Sequence, residues 1–479
     1  MDNLGLATGE IFLLCAICVI LIGDLYVREN QRPLAYLLAQ VSLIGTLLIT
    51  WSVAPESGSA TAFGGSFVMD QMSVVCKTWI LVVSIGVFLY SRDYVNSRNI
   101  TNGEYYTLAL CGVLGMMIMV SSSTMLTLYL GLELLSLSLY ALVALNRKDA
   151  RSSEAAMKYF VLGALASGAL LYGISMIYGA TGSLHFSAIS AELATDADST
   201  AAVFGLAFLV VGIAFKFGAA PFHMWVPDVY DGAPTSVTLY ISSAPKIAAF
   251  ALAMRFLVDG LETAHSNWQG MLIILSLLSI ALGNVIAIAQ VSIKRMLAYS
   301  TISHVGFILL GILSGSEQGY SASMFYAITY AFTSMGAFGI ILALDRAGAR
   351  TGEEVQLLTD LRGLFRRNPV YAAVMMLLLV SMAGVPPTVG FYAKLAVLGA
   401  VVQAELVWLA VVAVVFSVVG AFYYLRVIKY MFFDDPAETQ PVLAAFDVKV
   451  GLAINGAAIL LFGVFPGFIM AACVAAFGS

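Results

Sequence analysis

The sequence predicts an all-α polytopic membrane protein with about fourteen transmembrane helices. Hydrophobic residues make up 61% of the 479 residues and charged residues only 11%, whereas soluble domains carry about 25% charged residues. The mean hydropathy is +0.93. Apolar runs of about 20 residues, the length that crosses a bilayer, lie near 5–26, 33–52, 70–90, 104–121, 123–145, 154–179, 201–230, 236–259, 269–290, 296–314, 320–344, 370–400, 406–430 and 448–472.

The charges of the loops predict how these spans are oriented. All but five of the 23 basic residues fall on one side or at that side's helix ends: Arg28, Arg32, Arg92, Arg98, Arg147, Lys148, Arg151, Lys158, Lys294, Arg295, Arg346, Arg350, Arg362, Arg366, Arg367, Arg426, Lys429 and Lys449. The loops of the opposite side contain no Lys or Arg, and their acidic residues are Glu56, Glu192, Asp196, Asp198, Glu262, Glu317 and Glu405. Because Lys and Arg accumulate in cytoplasmic loops, both termini are expected outside the cytoplasm. The acidic N-terminus lacks the positive region of a secretory signal, so the first run is expected to remain as a span.

Composition and motifs exclude several classes of function. The net charge of −5 is spread over short loops and provides no basic face for nucleic acid. Cys15 and Cys18 form a C-x-x-C, but it lies in an apolar run and no second pair completes a four-thiolate site. We find no Gly-rich phosphate loop, nucleophile elbow or metal-ligand spacing. The chain itself is therefore expected to carry no electrons, bind no nucleotide and hold no metal.

Five basic residues fall inside predicted spans: Lys77, Lys216, Lys246, Arg255 and Lys394. A lysine at bilayer depth costs about 2.5–3.5 kcal/mol on insertion scales, so each one needs an explanation. Arg255 lies near a helix end with Asp259 four residues further on, so snorkelling and a local ion pair explain it. Lys77 lies about seven residues inside its helix, where a functional and a structural role are equally compatible with the pattern.

The remaining charged residues converge on the middle of the membrane. Glu133 and Lys246 each lie about ten residues into their spans, which places them about 15 Å deep in a hydrocarbon core of about 30 Å. Lys216 is also near mid-span. A neutralised structural pair is one interpretation, but intramembrane acids and bases more often serve ion pathways. A unit charge pair 4 Å apart at an effective dielectric of 20 attracts by about 4 kcal/mol, and doubling the separation halves this. Small movements between Glu133 and Lys216 can therefore load and release a proton.

Two prolines interrupt the seventh span, and two more interrupt the twelfth. The first break lies near 216–227, in GAAPFHMWVPDVYDGAP, and the second near 384–390, where Pro386 and Pro387 precede Lys394. Broken helices are tolerated in a membrane where other helices or a cavity satisfy the freed backbone groups. Spans four to eight and nine to thirteen form two groups of five, with the broken span fourth in each group, and an odd number of spans forces the second copy to be inverted. The predicted divisions are three N-terminal helices in 1–100, a first repeat in 101–262, an inverted second repeat in 263–430, and a loop and last helix in 431–479.

Four segments carry a resemblance to a known family: APFHMWVPDVYDGAPT, LGLELLSLSLYALVAL, KRMLAYSTISHVGF and AGVPPTVGFYAKL. Together they resemble the subunit N family of bacterial NADH-quinone oxidoreductase, respiratory complex I, one of the antiporter-like membrane subunits. The resemblance spans roughly 100–430. It implies a proton-translocating subunit of the bacterial inner membrane, with periplasmic termini and with other antiporter-like membrane subunits as partners. It also implies that NADH, flavin, iron–sulfur clusters and quinone belong to other parts of the complex.

The resemblance also assigns roles to individual residues. It matches Glu133 to the family's carboxylate, Lys216 to its broken-helix lysine and Lys246 to its bridging lysine. It matches His304 to the polar link between half-channels, and Lys394 to the exit-side lysine. His223 follows the first break. It is either a proton relay or, as we favour, a residue that fixes the broken backbone.

Other classes of function remain open from the sequence. A Mrp-type cation/proton antiporter subunit shares the fold and the lysines, and sodium-dependent proton exchange without quinone reduction would identify it. A membrane subunit of a hydrogenase-like complex would co-purify with nickel-containing partners. A purely structural membrane scaffold predicts no effect from conservative replacement of the mid-membrane charges.

Overall fold

The structure is a computed structural model that describes residues 3–26, 33–56, 58–98, 102–195, 199–348, 354–436 and 445–478. Its helices are α1 (Thr8–Asp24), α2 (Pro33–Ser52), α3 (Gln71–Ser97), α4 (Asn102–Val120), α5 (Met125–Val143), α6 (Ala150–Thr181), α7 (Phe186–Leu193), α8 (Thr200–Phe217), α9 (Trp225–Gly232), α10 (Thr235–Ile241), α11 (Ala244–Ala253), α12 (His265–Ala289), α13 (Ile293–Leu313), α14 (Glu317–Gly348), α15 (Leu364–Arg367), α16 (Pro369–Ala383), α17 (Val389–Gln403), α18 (Val407–Phe433), α19 (Phe446–Val464) and α20 (Gly467–Ala475). Met254–Gly260 is a π-helical segment, and short 3₁₀ segments cover Leu4–Ala7, Glu262–Ala264 and Leu358–Leu361.

The all-α membrane fold is confirmed. Among the described residues, 13 helices are long and apolar enough to cross a membrane. Two shorter apolar helices, α16 and α17, occupy the twelfth predicted span. The inverted arrangement of two repeats and the division of the chain at 100, 262 and 430 stay predictions.

Both predicted helix interruptions are present. α8 ends at Phe217, where Gly218 has φ +78°, and α16 ends at Ala383, where Gly384 has φ +84°. A left-handed glycine after the last helical residue is the usual way to end a helix, since the missing Cβ removes the steric penalty. α9 resumes at Trp225 and α17 at Val389. The lysines therefore lie on opposite sides of their breaks, Lys216 before the first and Lys394 after the second.

Several features differ from the continuous spans that the sequence predicts. The eighth span is divided into α10, α11 and the π-helical segment, with Pro245 in the first turn of α11. The last span ends at Val464, because Pro466 follows, and α20 is a separate short helix. A hairpin of β1 (Ala60–Ala62) and β2 (Phe67–Met69) was not predicted either. Local pattern gives little signal for such short elements.

Lys77 and Arg255, the two intramembrane basic residues that lie nearer to an end of their predicted spans, are both buried. Lys77 forms an ion pair with Glu10 at 2.6 Å, which joins α3 to α1. Arg255 makes the predicted pair with Asp259 (2.7 Å) but also pairs with Asp70 (2.8 Å). Only 4% of Arg255 is exposed, so the snorkelling interpretation is wrong. Asp70 is the N-cap residue of α3. Its side chain supplies the second carboxylate that compensates the buried guanidinium of Arg255.

Two basic residues on the predicted cytoplasmic side, Arg98 and Lys294, contact the same carboxylate, that of Glu354. Glu354 lies 3.0 Å from Arg98 and 3.4 Å from Lys294. Burial alone would raise the pKa of the Glu354 carboxyl, but Lys294, Arg98 and a hydrogen bond from Tyr94 hold this pKa below its usual value. The predicted loop charges Arg28, Arg32, Asp196, Asp198 and Arg350, and the side chain of Arg346, lie outside the described residues.

Two glycines let α4 and α5 approach each other closely, which positions the helix that carries Glu133. A Cβ added at Gly115 of α4 would lie 2.7 Å from the Gly131 carbonyl oxygen of α5. A Cβ at Gly131 would lie 2.8 Å from the Met119 amide nitrogen. Small residues at such crossings allow backbones to pack, which is the main source of helix association in a membrane.

We predict that Gly115→Ala lowers the amount of assembled protein in the membrane, because overpacking at a backbone contact costs about 1–3 kcal/mol. Gly270→Ala in α12 is the matched control, since a Cβ there meets nothing within 4 Å. Immunoblots of membranes and the thermal midpoint of the detergent-solubilised protein measure both effects. Equal stability of the two variants would contradict the close-packing interpretation.

Candidate functional site

Three of the six predicted site residues are almost completely enclosed. Lys246 is 2% exposed, His304 5% and Lys394 9%. Glu133, Lys216 and His223 are partly buried. In the low-dielectric interior an unpaired polar group is costly, so the hydrogen-bond partners of each side chain determine what the site can do.

Glu133 and Lys216 meet through a serine rather than directly. Ser167 of α6 donates a hydrogen bond to Glu133 Oε1 at 2.5 Å, and Lys216 Nζ donates to Ser167 Oγ at 3.3 Å. Lys216 Nζ also donates to Ser136 Oγ at 2.8 Å. Ser136 lies one turn beyond Glu133 on α5. The Lys216 ammonium therefore donates to one hydroxyl of α5, that of Ser136, and to one of α6, that of Ser167. The structure thus places the Ser167 hydroxyl between Glu133 and Lys216, rather than a direct ion pair.

Lys246 closes the end of the first broken helix. Its Nζ donates to the carbonyl oxygen of Phe217, the last residue of α8, at 2.8 Å. The same ammonium lies 5.7 Å from the centre of the Trp225 ring, within the range of a cation–π contact. Trp225 Nε1 donates to the Phe215 carbonyl oxygen at 3.0 Å. Carbonyls freed at the C-terminal end of α8 thus find donors, and the negative end of the helix dipole faces a positive charge.

A small cavity joins Lys216 to Lys246. It has a volume of about 30 Å³ and is lined by both lysines together with Ser136, Tyr159 and Trp225, among others. About 10–15 Å³ is the least space that holds one water molecule, provided that polar partners are present. The cavity therefore has room and partners for water between the two amines.

His304 is the centre of a hydroxyl cluster contributed by three helices. Its Nδ1 is hydrogen-bonded to the Tyr326 hydroxyl of α14 at 2.7 Å, and its Nε2 to the Tyr424 hydroxyl of α18 at 3.1 Å. Tyr424 is hydrogen-bonded in turn to Ser300 at 2.5 Å. A neutral imidazole donates from one nitrogen and accepts at the other. With both nitrogens bonded to hydroxyls, this ring can take a proton on one side and release one on the other.

Lys394 caps the second broken helix. Its Nζ donates to the carbonyl oxygens of Met382 and Ala383, both at 3.0 Å, which end α16. It also donates to Ser417 Oγ of α18 at 2.8 Å and lies 5.1 Å from the centre of the Phe307 ring. A cavity of about 10 Å³ near this break is lined by His304, Tyr326 and the two residues Met382 and Ala393, among others.

His223 lies in the bend between α8 and α9, beside the ring of Tyr299 at 6.4 Å between centroids. Its Nδ1 makes no side-chain hydrogen bond among the residues described. The bend is instead fixed by Ser279 of α12, whose Oγ accepts from the Ala220 amide at 2.8 Å. Both interpretations of His223 therefore stay predictions, and Ser279 supplies a backbone anchor that the sequence analysis missed.

Sequence reasoning missed most of the neutral partners of the charged residues. Ser136 had a signal, because it follows Glu133 by three residues and so shares its helix face. Ser417 and Tyr424 are seven residues apart on α18, which also places them on one face. Serine and tyrosine are common in transmembrane helices, however, so this spacing alone does not select them. Among the described residues, no group of three or more His, Cys, Asp or Glu is placed to hold a metal ion.

Comparisons with known proteins agree with the resemblance found in the sequence. Residues 122–420 match the NADH:quinone oxidoreductase/Mrp antiporter transmembrane family. NADH-quinone oxidoreductase subunit N of Thioalkalivibrio sulfidiphilus is 56% identical over 463 residues, which cover 96% of this chain and 95% of that protein. Subunit N of Nitrosomonas europaea is 53% identical over 465 residues, covering 97% and 96%.

A solved structure extends this similarity to the fold. One chain of respiratory complex I from Thermus thermophilus with bound aureothin matches with a TM-score of 0.81 and 30% identity. The match covers 98% of this chain and 99% of that chain. The resemblance to subunit N is thus confirmed, and the chain belongs to the NADH:quinone oxidoreductase/Mrp antiporter family of membrane subunits.

Proposed function

We propose that this chain is a proton-translocating membrane subunit of a bacterial NADH-quinone oxidoreductase, in the place that subunit N takes in its relatives. The observation that carries this proposal is the series of amines and an imidazole in the interior: Lys216, His304 and Lys394 are each hydrogen-bonded to a hydroxyl, and Lys246 lines the same cavity as Lys216. Identity above 50% to proteins named subunit N supports the assignment over nearly the whole chain. NADH oxidation, flavin, iron–sulfur clusters and quinone reduction then belong to other subunits, and the energy that moves protons reaches this chain through its partners.

The partners that follow are the other membrane subunits of the complex, including sister antiporter-like subunits, and the lipid bilayer. The location is the bacterial inner membrane. Many apolar side chains of the outer helices are uncovered in the single chain, for instance Val19 on α1, Leu130 on α5 and Val418 on α18. Lipid tails and neighbouring subunits provide the surfaces that such side chains need.

The contacts support one order of transfer along the membrane plane. Glu133 holds Lys216 through Ser167, so a change in their separation alters the attraction that keeps the ammonium charged. The cavity beside Lys216 leads to Lys246. We place His304 and its hydroxyl cluster next, and Lys394 last, on the exit side.

A Mrp-type antiporter subunit is the second candidate, because the matching family includes both kinds of protein. Affinity purification of the chain in mild detergent separates the two. Co-purified NADH dehydrogenase activity with bound flavin and iron–sulfur clusters supports the first proposal. Sodium-dependent proton exchange in vesicles without quinone reduction would replace it with the second.

The first test concerns Glu133 and Lys216. Each single change, Glu133→Gln and Lys216→Met, should reduce proton pumping, since each leaves the remaining charge uncompensated. The double variant should cost little more than the worse single change, because residues that act as a unit are not additive. Proton uptake by reconstituted vesicles measures all three variants. Losses that add in log rate would show that the two residues act independently.

The second test separates capping from proton release at Lys394. Lys394→Arg keeps a positive donor for the Met382 and Ala383 carbonyls, but a guanidinium does not give up its proton in proteins. We expect normal assembly and a loss of pumping and of coupled quinone reduction of about a hundredfold, the lower end of the range for loss of a proton-transfer group. Lys449→Arg, on a partly exposed helix surface, is the matched control. Wild-type pumping in Lys394→Arg would make this lysine a structural cap.

A third test addresses the orientation. Tags at Met1 and Ser479 should be accessible from the periplasmic face of cells with a permeabilised outer membrane, while a tag near Gly352 should be protected. These three positions lie outside the described residues. The reverse labelling pattern would overturn the orientation deduced from the loop charges.

A further inference from the structure

Tyr230 has a buried hydroxyl that makes no regular hydrogen bond within the part of the chain that the structure describes. It lies on α9, the half-helix that follows the first break, and none of its surface is exposed. Its ring packs edge-on against Phe338 of α14, with 6.0 Å between centroids. Its hydroxyl oxygen forms no hydrogen bond of ordinary geometry with the described residues, and the Thr301 hydroxyl is the side chain that comes nearest to one. Buried tyrosine hydroxyls usually find one, so this oxygen calls for an explanation.

The surroundings of Tyr230 distinguish it from another buried hydroxyl that makes no hydrogen bond among the described residues, that of Tyr106. The polar side chains that act on the Tyr230 hydroxyl are Tyr330, Thr301 and Tyr159. Tyr330 and Thr301 belong to α14 and α13, in the predicted second repeat. Tyr159 belongs to α6, in the predicted first repeat. Tyr230 therefore faces hydroxyls from both halves of the chain.

On the side of the second repeat, these hydroxyls lead to His304. The Tyr330 hydroxyl donates to Thr301 Oγ1 at 2.7 Å. The Tyr330 ring lies against the imidazole of His304, with 4.7 Å between centroids and a tilt of 32°. Thr301 is three residues before His304 on α13, so both occupy neighbouring positions on one helix face. Tyr330 and His304 also line one cavity of about 10 Å³.

On the side of the first repeat, the contacts lead to the two lysines. Tyr159 lines the cavity of about 30 Å³ that holds Lys216 and Lys246. Its ring is stacked on Trp225, with 4.5 Å between centroids and an angle of 16° between planes. Trp225 is in turn the aromatic group beside Lys246. The same segment, α9, thus carries Trp225 at the lysine cavity and Tyr230 at the hydroxyls of the second repeat.

We propose that the Tyr230 hydroxyl is the relay that carries protons sideways from the Lys216–Lys246 cavity to the Thr301–Tyr330–His304 group. The inference rests on the proposed function and adds the connection that the named lysines and histidine do not themselves make. A proton arrives at the phenol oxygen from a water molecule or hydroxyl on the side of Tyr159, as the phenol gives its own proton to a water molecule beside Thr301 or to Thr301 itself, which in the same step releases its own hydroxyl proton toward Tyr330. One O–H bond forms as another breaks, the phenol stays neutral, and no electron is transferred.

The substitution Tyr230→Phe removes one oxygen and keeps the ring against Phe338. Thr301, the hydroxyl nearest to that oxygen, still donates to the Leu297 carbonyl oxygen at 2.9 Å and accepts from Tyr330 at 2.7 Å. Loss of the phenol oxygen therefore leaves no buried group unpaired. A purely structural role therefore predicts unchanged assembly and unchanged pumping. A relay role predicts unchanged assembly with slower pumping.

The experiment uses the purified complex in proteoliposomes, supplied with NADH and quinone, with proton uptake followed by a pH-sensitive dye. We expect Tyr230→Phe to lower proton uptake and coupled quinone reduction by about a hundredfold, the lower end of the range for a positioned proton-transfer group. Tyr240→Phe is the matched control, because Tyr240 is equally buried but donates to the Ala109 carbonyl oxygen, away from the relay. It should pump at the wild-type rate.

Lys216→Met separates the failure of this inference from failure of the proposed function. Loss of pumping in Lys216→Met with wild-type pumping in Tyr230→Phe would overturn the relay alone. Wild-type pumping in both would overturn the proposed function as well. An equal loss in Tyr240→Phe would attribute the effect to removal of any buried phenol and would also overturn the relay. Should Tyr230→Phe fail to assemble, Tyr330→Phe interrupts the next link. Slow pumping in that variant supports the relay, and wild-type pumping contradicts it.

Discussion

The structure depends on two lysine ammonium groups that close interrupted helices inside the membrane. Lys246 donates to the last carbonyl of α8, and Lys394 donates to the last two carbonyls of α16. A helix that ends within hydrocarbon leaves carbonyl groups without partners, each at a cost of several kcal/mol. A buried ammonium is equally unfavourable by itself. Each of the two unfavourable features satisfies the other, so the break and the buried charge stabilise each other.

This mutual dependence explains why the broken helices and the buried lysines could be found together from the sequence. Proline and glycine mark the breaks, and a lysine deep in an apolar run is conspicuous. The resemblance of the surrounding segments then assigned the roles of Glu133, His304 and Lys394. Burial, by contrast, could only be inferred from depth along a helix. That inference failed for Arg255, because its second carboxylate, Asp70, is distant in sequence and near only after folding.

The neutral side chains at the site lay beyond sequence reasoning for a different physical reason. Ser167 and Ser417 are ordinary residues of membrane helices, and a serine hydroxyl can donate to a carbonyl of its own helix wherever it points. Their importance comes from contacts between helices, such as Ser167 between Glu133 and Lys216. Such contacts depend on how helices rotate and cross, which small residues such as Gly115 influence locally.

The serines matter because a proton carrier needs partners in both of its charge states. An ammonium has three donors, and at Lys394 these match two carbonyls and the Ser417 hydroxyl. A neutral amine keeps two donors and gains a lone pair. It can still bond both carbonyls, while the hydroxyl of Ser417 turns to donate to the nitrogen. A carbonyl in the place of Ser417 would be unable to turn in this way and would bind only the charged form well. Hydroxyl partners therefore allow the lysine to lose and regain its proton while the broken helix remains capped.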